Sequence, residues 1–275
     1  MKGFNNIGNT CYLNAGLQLI LHNQELCYLI RSNNKSNILQ ILSDFIEEYY
    51  NVSKTEALTP NKIKTLVENK NNIFCGTNQQ DSSEFIIYFL DLINEEINLN
   101  YLYETTTNVF IKCKLRKCLN ISQHLEKNNF LIFDIKENFI NLDQCYKEYK
   151  SKIKFENDNL YWCEKCNTKR VASKRIQIIN WPKHLIIILK RFTHNVNNIN
   201  KNNNCISVPE FWLNKYYLKG IVFHSGSIHG GHYIYIGKQN NNWYMFNDNF
   251  VTMVNLNQLD NYKDYGYIYY FEKIL

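Results

Sequence analysis

The stretch GFNNIGNTCYLN, at residues 3–14, places a cysteine at the beginning of a predicted helix. Asn9 and Thr10 are plausible N-cap residues, and apolar residues follow them at helical spacing. In the first turn of a helix, unpaired backbone N–H groups and the helix dipole favour a thiolate. Cys11 is therefore predicted to be a nucleophile, whereas without these neighbours a small buried thiol would be the better interpretation.

Two segments near the C-terminus carry groups that could activate this thiol. They are HGGHY at residues 229–233 and WYMFND at residues 243–248. We predict His232 as the general base because it begins a strand that would hold it rigidly, whereas His229 precedes two glycines and suits a mobile loop. The distance along the chain is no obstacle, since such groups meet in the fold.

Three further side chains are candidates for the same site. Asn247 and Asp248 could each accept a hydrogen bond from the imidazole and fix its tautomer. The side-chain amide of Asn6 could join the backbone N–H of Cys11 in binding an oxyanion, although a turn asparagine is the alternative interpretation. The sequence thus predicts a cysteine nucleophile with a base, a base-orienting group and an oxyanion donor.

Composition limits the class of protein. A chain of 275 residues can bury a substantial core as one domain or as two lobes. Its net charge of +6 is spread along the sequence, which predicts a lysine-rich solvated surface and no nucleic-acid partner. Apolar runs are too short to cross a bilayer, and no secretory signal precedes the cysteine motif. We therefore expect a soluble intracellular protein of the cytoplasm or nucleus, with no membrane partner.

The apolar pattern changes once along the chain. Helical spacing dominates up to about residue 105, and the Asn-rich stretch at 195–204 is predicted to be a loop. The predicted strands, rich in β-branched and aromatic residues, are 108–114, 130–136, 171–179, 184–192, 216–223, 232–237, 242–246 and 265–271. This layout predicts an α+β protein, in which a helical lobe bearing the thiol precedes a mostly antiparallel sheet bearing the histidine.

Nine cysteines without a secretory signal indicate thiols and metal ligands instead of disulfides. Cys163 and Cys166 form a Cys-x-x-Cys pair that suits tetrahedral zinc, and Cys113 and Cys118 have a longer spacing that zinc sites tolerate. We predict a structural zinc on these four residues and no cofactor for catalysis. The alternative is a metal-free tip, in which the segments that carry these four cysteines bind no zinc.

Five segments resemble landmarks of the ubiquitin-specific protease family of deubiquitinating enzymes, in the family's order. They are the cysteine box at 6–14, QQDSSEF at 79–85, YWCEKC at 161–166, LIIILKRF at 185–192, and the histidine box formed by 224–233 with 243–248. Leu115 departs from the pattern, because it occupies the position where the family's first zinc-binding cysteine of that half is expected.

The resemblance implies a papain-like cysteine protease fold and a single catalytic domain over residues 1–275. Its helical thumb would span about 1–105, its β fingers about 106–180 and its β-sheet palm about 181–275. The family's catalytic roles fall on Cys11 as nucleophile, His232 as general base, Asn247 as the third member with Asp248 in support, and Asn6 as oxyanion donor.

The same resemblance implies the substrate. Asp81 and Glu84 match positions that face basic residues of the ubiquitin tail, although carboxylates in a first helical turn also complement the helix dipole. The implied reaction is hydrolysis of the isopeptide or peptide bond after the C-terminal glycine of ubiquitin, through a thioester.

The expected partners are ubiquitin and ubiquitinated proteins, and the protein is expected to be a monomer. A protease for another ubiquitin-like modifier and a catalytically weak ubiquitin-binding relative are the alternatives.

Overall fold

The computed structural model describes residues 1–53, 55–118, 120–195, 198–227 and 230–274. The helices in these ranges are α1 (Cys11–Leu21), α2 (Gln24–Ser32), α3 (Asn37–Tyr50), α4 (Asn61–Lys70), α5 (Ser82–Glu96), α6 (Asn100–Tyr103), α7 (Leu142–Tyr149) and α8 (Leu256–Asp264). The strands are β1 (Thr105–Cys113), β2 (Ile121–Asn128), β3 (Leu131–Asp134), β4 (Ile153–Phe155), β5 (Tyr161–Cys163), β6 (Thr168–Arg170), β7 (Ala172–Asn180), β8 (His184–Lys190), β9 (Phe192–Asn195), β10 (Asn198–Lys201), β11 (Phe211–Trp212), β12 (Tyr216–Ser227), β13 (Gly230–Gln239), β14 (Asn242–Asn247), β15 (Phe250–Val254) and β16 (Ile268–Lys273).

The helical part of the chain begins its helices where the sequence supplies caps. The side chain of Asn23 caps α2, that of Ser36 caps α3 and that of Asp81 caps α5, each by accepting a backbone N–H of the first turn. Pro60 precedes α4, where its missing N–H is not needed. Helix α1 is buried along its whole length, because it lies between the other helices and the large sheet.

The large sheet has the strand order β15-β14-β13-β12-β16-β8-β3, with β11 paired to β12. All of these pairs are antiparallel except β3 with β8. Strand β8 is buried from His184 to Leu189, as its continuous apolar run predicts. One face packs on the helical half through residues such as Ile186 and Tyr235, and the other face packs on α7 and α8.

A smaller sheet, β2-β1-β7-β4, extends from the large one, and the hairpin β5-β6 follows at its end. Strand β2 and helix α7 were not predicted, because residues 121–128 are polar and α7 is short. The stretch predicted as a loop at 195–204 contains β10, which pairs with β9. No helix within the described ranges is both long enough and apolar enough to span a membrane.

Candidate active site

Cys11 is the first residue of α1, and the preceding chain turns sharply to begin the helix there. Gly8 and Asn9 have φ angles of 110° and 53°, values that glycine and asparagine adopt at low cost. Thr10 occupies the N-cap position, although its hydroxyl accepts the N–H of Ile7 at 3.0 Å and does not cap the helix. The cysteine is 5% exposed, next to the free N–H groups of the first turn. The environment therefore favours an anion at the sulfur.

His232, on β13, interacts with the thiol and with Asn247. Nε2 of the imidazole is 2.7 Å from Oδ1 of Asn247, so this nitrogen donates its proton to the amide oxygen. The interaction with the Cys11 sulfur raises the pKa of His232 to about 9. It outweighs burial, which lowers the pKa, and the hydrogen bond with Asn247 adds to the rise. Because Nε2 faces the amide, Nδ1 is the nitrogen left for the sulfur. The imidazole can therefore keep its proton at neutral pH.

Asp248 lies farther from the imidazole than Asn247 and has other partners. Its Oδ2 is 4.0 Å from Nε2 of His232, so it acts on the ring through its charge and makes no direct hydrogen bond. Its carboxylate accepts hydrogen bonds from the side-chain amides of Asn6, at 2.9 Å, and Asn14, at 2.8 Å. Both asparagines belong to the helical half. The carboxylate thus connects the segment that carries the thiol with the sheet that carries the imidazole.

The N-terminal segment packs directly on the turn between β14 and β15. The backbone N–H of Phe4 donates to the carbonyl of Asp248 at 2.8 Å. A Cβ on Gly3 would lie 2.5 Å from the backbone of Asn249, so only glycine permits this approach. The sequence assigned no role to Gly3 or Asn14. For Asn14 a signal existed, because a residue three positions after Cys11 lies on the same face of the helix.

Asn6 is held in one orientation beside the start of α1. Its Oδ1 accepts the backbone N–H of Gly8 at 3.2 Å and that of Thr10 at 3.1 Å. Its Nδ2 gives one hydrogen to Asp248, and the second has no acceptor in the part of the chain that the structure describes. That second hydrogen is available to an oxygen bound at Cys11.

The two carboxylates predicted to bind substrate lie at the beginning of α5. Oδ1 of Asp81 accepts the backbone N–H of Ser83 at 2.7 Å and that of Glu84 at 3.2 Å. The hydroxyls of Tyr233 and Tyr267 each donate to Oδ2 of the same carboxylate at 3.0 Å. Asp81 is therefore a helix cap as well as a neighbour of the site, whereas Glu84 is exposed in the first turn.

A cavity of about 350 Å³ lies beside these carboxylates, and its lining includes Gln79, Glu84 and His224. Gln79 had no predicted role. Its Oε1 accepts the backbone N–H of Gly231 at 3.0 Å, one residue before His232, and so fixes the strand that carries the imidazole against the start of α5. The available signal was its place at the beginning of QQDSSEF. His229, the alternative base, lies outside the described residues.

The structure brings Cys113, Cys118, Cys163 and Cys166 together at the end of the smaller sheet. All four sulfurs lie within 4.8 Å of one another, and those of Cys118 and Cys163 are 3.6 Å apart. Zn–S bonds of about 2.3 Å in a tetrahedron separate the sulfurs by about 3.8 Å, so this set can bind a structural zinc ion. Leu115 does not take part as a ligand; its carbonyl accepts the N–H of Cys118 at 2.9 Å and closes the longer turn.

A helical half and an antiparallel sheet that meet at a cysteine–histidine pair define the papain-like class of folds. A sequence model of the family described as ubiquitin carboxyl-terminal hydrolase matches residues 2–271. The chain therefore belongs to the ubiquitin carboxyl-terminal hydrolase family. The predicted fold class and the family resemblance are both confirmed.

The curated relatives are distant and much longer. Ubiquitin carboxyl-terminal hydrolase Usp2 of Drosophila melanogaster is 26% identical over 91% of this chain and 32% of the relative. Ubiquitin carboxyl-terminal hydrolase 4 of Saccharomyces cerevisiae is 24% identical over 99% of this chain and 39% of the relative. The chain thus spans about a third of the length of these relatives.

Solved structures show the same fold. The SAGA Ubp8/Sgf11/Sus1/Sgf73 DUB module bound to ubiquitin aldehyde matches with a TM-score of 0.84 and 24% identity, over 100% of this chain and 70% of the solved one. The SAGA DUB module bound to monoubiquitin matches with a TM-score of 0.82 and 24% identity, over 100% of this chain and 69% of the solved one.

Proposed function

We propose that the protein is a deubiquitinase, which hydrolyses the isopeptide or peptide bond after the C-terminal glycine of ubiquitin. The observation that carries this proposal is the site formed by Cys11 at the start of α1 and by His232, whose Nε2 is 2.7 Å from Oδ1 of Asn247, in a chain of the ubiquitin carboxyl-terminal hydrolase family. A sulfur paired with an imidazolium is a nucleophile at neutral pH, and the same imidazolium can protonate a leaving amine.

Each side chain then has one role. The Cys11 thiolate attacks the carbonyl carbon of the terminal glycine, and the N–H groups of Asn6 and of the Cys11 backbone bind the oxyanion that forms. His232 gives its proton to the departing amine as the C–N bond breaks, which leaves a thioester on the sulfur. Water, deprotonated by His232, hydrolyses the thioester. Asn247 fixes the orientation of the ring, and the charge of Asp248 stabilises its protonated form.

The substrate tail enters between the start of α5 and β13 in this proposal. Asp81 and Glu84 beside the cavity there supply negative charge for the basic residues of the tail. The whole chain acts as a single catalytic domain with helical thumb, fingers and palm, and it works as a monomer on ubiquitinated proteins in the cytoplasm or nucleus. Two similar solved structures hold ubiquitin aldehyde or monoubiquitin within a SAGA module, which supports ubiquitin as the ligand.

Probes that carry a C-terminal electrophile test this function. We expect the purified protein to form a covalent adduct with the ubiquitin probe, seen as a mass increase, and to react far more slowly with matched probes of other ubiquitin-like modifiers. Faster reaction with another modifier's probe would instead make the protein a protease for that modifier. Binding of ubiquitin without any adduct would indicate a catalytically weak relative.

The raised pKa of His232 predicts the alkaline limit of activity. Hydrolysis needs the imidazolium, so kcat/KM is expected to fall as pH rises through the pKa of about 9 at which the cysteine–histidine pair loses its proton. The Asn247 hydrogen bond is one cause of the raised pKa, so Asn247→Ala should move this limit to lower pH. A fluorogenic ubiquitin–amine substrate measures both profiles. An alkaline limit that stays in place in Asn247→Ala would contradict the assigned contact.

A further inference from the structure

The smaller sheet forms part of a cleft that is lined by positively charged side chains. This basic cleft has a volume of about 700 Å³, and its lining includes Lys112, Lys150, Lys152 and Arg175. Lys112 lies on β1 and Arg175 on β7, while Lys150 and Lys152 lie in the connection from α7 to β4. None of these elements carries Cys11, His232 or Asn247. The basic cleft is thus a surface separate from the candidate active site.

Strand register explains why two of these cations, Lys112 and Arg175, share one face of the smaller sheet. Lys112 is paired with Ser173, and Ser173 is paired in turn with Lys154 on the far side of β7. Phe110, two residues before Lys112, is paired with Arg175. Directly opposed residues in an antiparallel pair project from the same face of a sheet. Cations that are far apart along the sequence therefore stand side by side on one face of the smaller sheet.

The basic cleft contains no carboxylate among its lining residues. Elsewhere, lysines of this protein pair with acids, as Lys136 does with Glu148 at 2.5 Å and Lys183 with Glu25 at 2.6 Å. Within the described part of the chain, no such ion pair involves the four cations that line the basic cleft. Their mutual repulsion is unfavourable in the free protein, and an anionic ligand would relieve it.

The other lining residues distinguish between anionic ligands. Phe110, Ile121 and Tyr146 add apolar surface, which suits a polypeptide that alternates acidic and apolar side chains. The ring of Tyr146 is covered by the ammonium group of Lys150, 3.9 Å from the ring centre, so that face is not available to stack on a nucleic-acid base. A cleft of this volume also matches a short extended segment better than a duplex.

We propose that the basic cleft binds an acidic, Asp- and Glu-rich segment of a partner protein. The charged side chains of the segment pair with the lysines and the arginine at its rim, and its apolar side chains contact Phe110 and Ile121 on the floor. Binding here leaves the cysteine–histidine site open. The inference does not depend on the proposed hydrolase activity.

The test is fluorescence anisotropy with a labelled Glu-rich peptide that contains leucines, measured at rising salt. We expect saturable binding that weakens with salt, and no binding of the same peptide with Gln in place of Glu. The double variant Lys152→Glu/Arg175→Glu should weaken binding by about tenfold or more, because both positions are exposed rim charges. The control Lys35→Glu/Lys62→Glu makes the same change in net charge on the helical half, and it should weaken binding by less than about twofold.

Three outcomes would overturn the proposal. One is equal weakening in both double variants, which would indicate a nonspecific charge effect. Another is that a single-stranded oligonucleotide binds to the basic cleft more tightly than the Glu-rich peptide does. The third is loss of labelling by the ubiquitin probe in Lys152→Glu/Arg175→Glu, which would assign these residues to the substrate surface. If this variant melts early, Arg175→Gln alone replaces it, with weakening of several-fold expected and no change overturning the proposal.

Discussion

Cys11→Ala is expected to abolish covalent labelling by the ubiquitin probe and to lower kcat/KM by at least about 10³-fold. The sulfur is the atom that forms the thioester, and no other group at the start of α1 can replace it. Removing it also takes away the main cause of the raised pKa of His232. The variant should still bind ubiquitin, because the substitution removes one small side chain and leaves the fold unchanged. Intact-mass analysis after probe treatment measures the labelling.

Two other cysteines provide matched controls. Cys75→Ala removes an exposed thiol and should label like the unsubstituted protein. Cys27 is expected to be unreactive because burial raises its pKa to about 12, so it is protonated at neutral pH. His232→Ala should also lose labelling, since the thiolate then lacks its cation. Labelling of Cys11→Ala at the rate of the unsubstituted protein would remove the proposed mechanism altogether.

Removal of zinc is expected to have the largest effect on stability. Structural zinc binding to four cysteines is coupled to folding, and apparent binding free energies of about 10–16 kcal/mol are typical of small zinc sites. The cluster joins the end of β1 to the β5–β6 hairpin, so its loss frees two segments at once. Even a local loss of about 4 kcal/mol would lower Tm by roughly 8–16 °C in a domain of this size. Calorimetry with and without a chelator measures this difference.

A cysteine outside the cluster separates metal loss from a general thiol effect. Cys163→Ser should melt at a lower temperature and release zinc, as determined by metal analysis, whereas Cys205→Ser should change neither. Both changes replace a sulfur by an oxygen, but only the first removes a zinc ligand. Full stability of metal-free protein, or of Cys163→Ser, would favour the metal-free tip that the irregular spacing of Cys113 and Cys118 left open.

Much of the fold was predictable from local patterns. The helical character of the first hundred residues and half of the described strands follow from apolar spacing and caps, because a side chain's face depends only on its position along the element. The elements that escaped prediction include strand β2 and helix α7. The first is largely polar on both faces, and the second is too short for a periodic signal, so each is stabilised mainly by the neighbours that it packs against.

The candidate site divides in the same way. Residue type and neighbouring motifs were enough to predict five side chains of the site, namely Cys11, His232, Asn247, Asp248 and Asn6. Asn14, Gln79 and Gly3 were missed, since their contacts are with residues distant in the chain. For Asn14 and Gln79 the local sequence indicates only a position, three residues after Cys11 and at the beginning of QQDSSEF, and not the residue that each one binds.

The sequence by itself determined the chemical groups: a thiol at a helix start, an imidazole at a strand start and four cysteines in two pairs. The tertiary structure decided how far apart these groups lie and which of them form hydrogen bonds. It gave Asn247 the direct bond to the imidazole and Asp248 the contacts between the two halves, and it gathered separate lysines into the basic cleft. The reason is physical: residue type fixes what a side chain can donate, accept or carry, but distances across 200 residues depend on how sheets and helices pack.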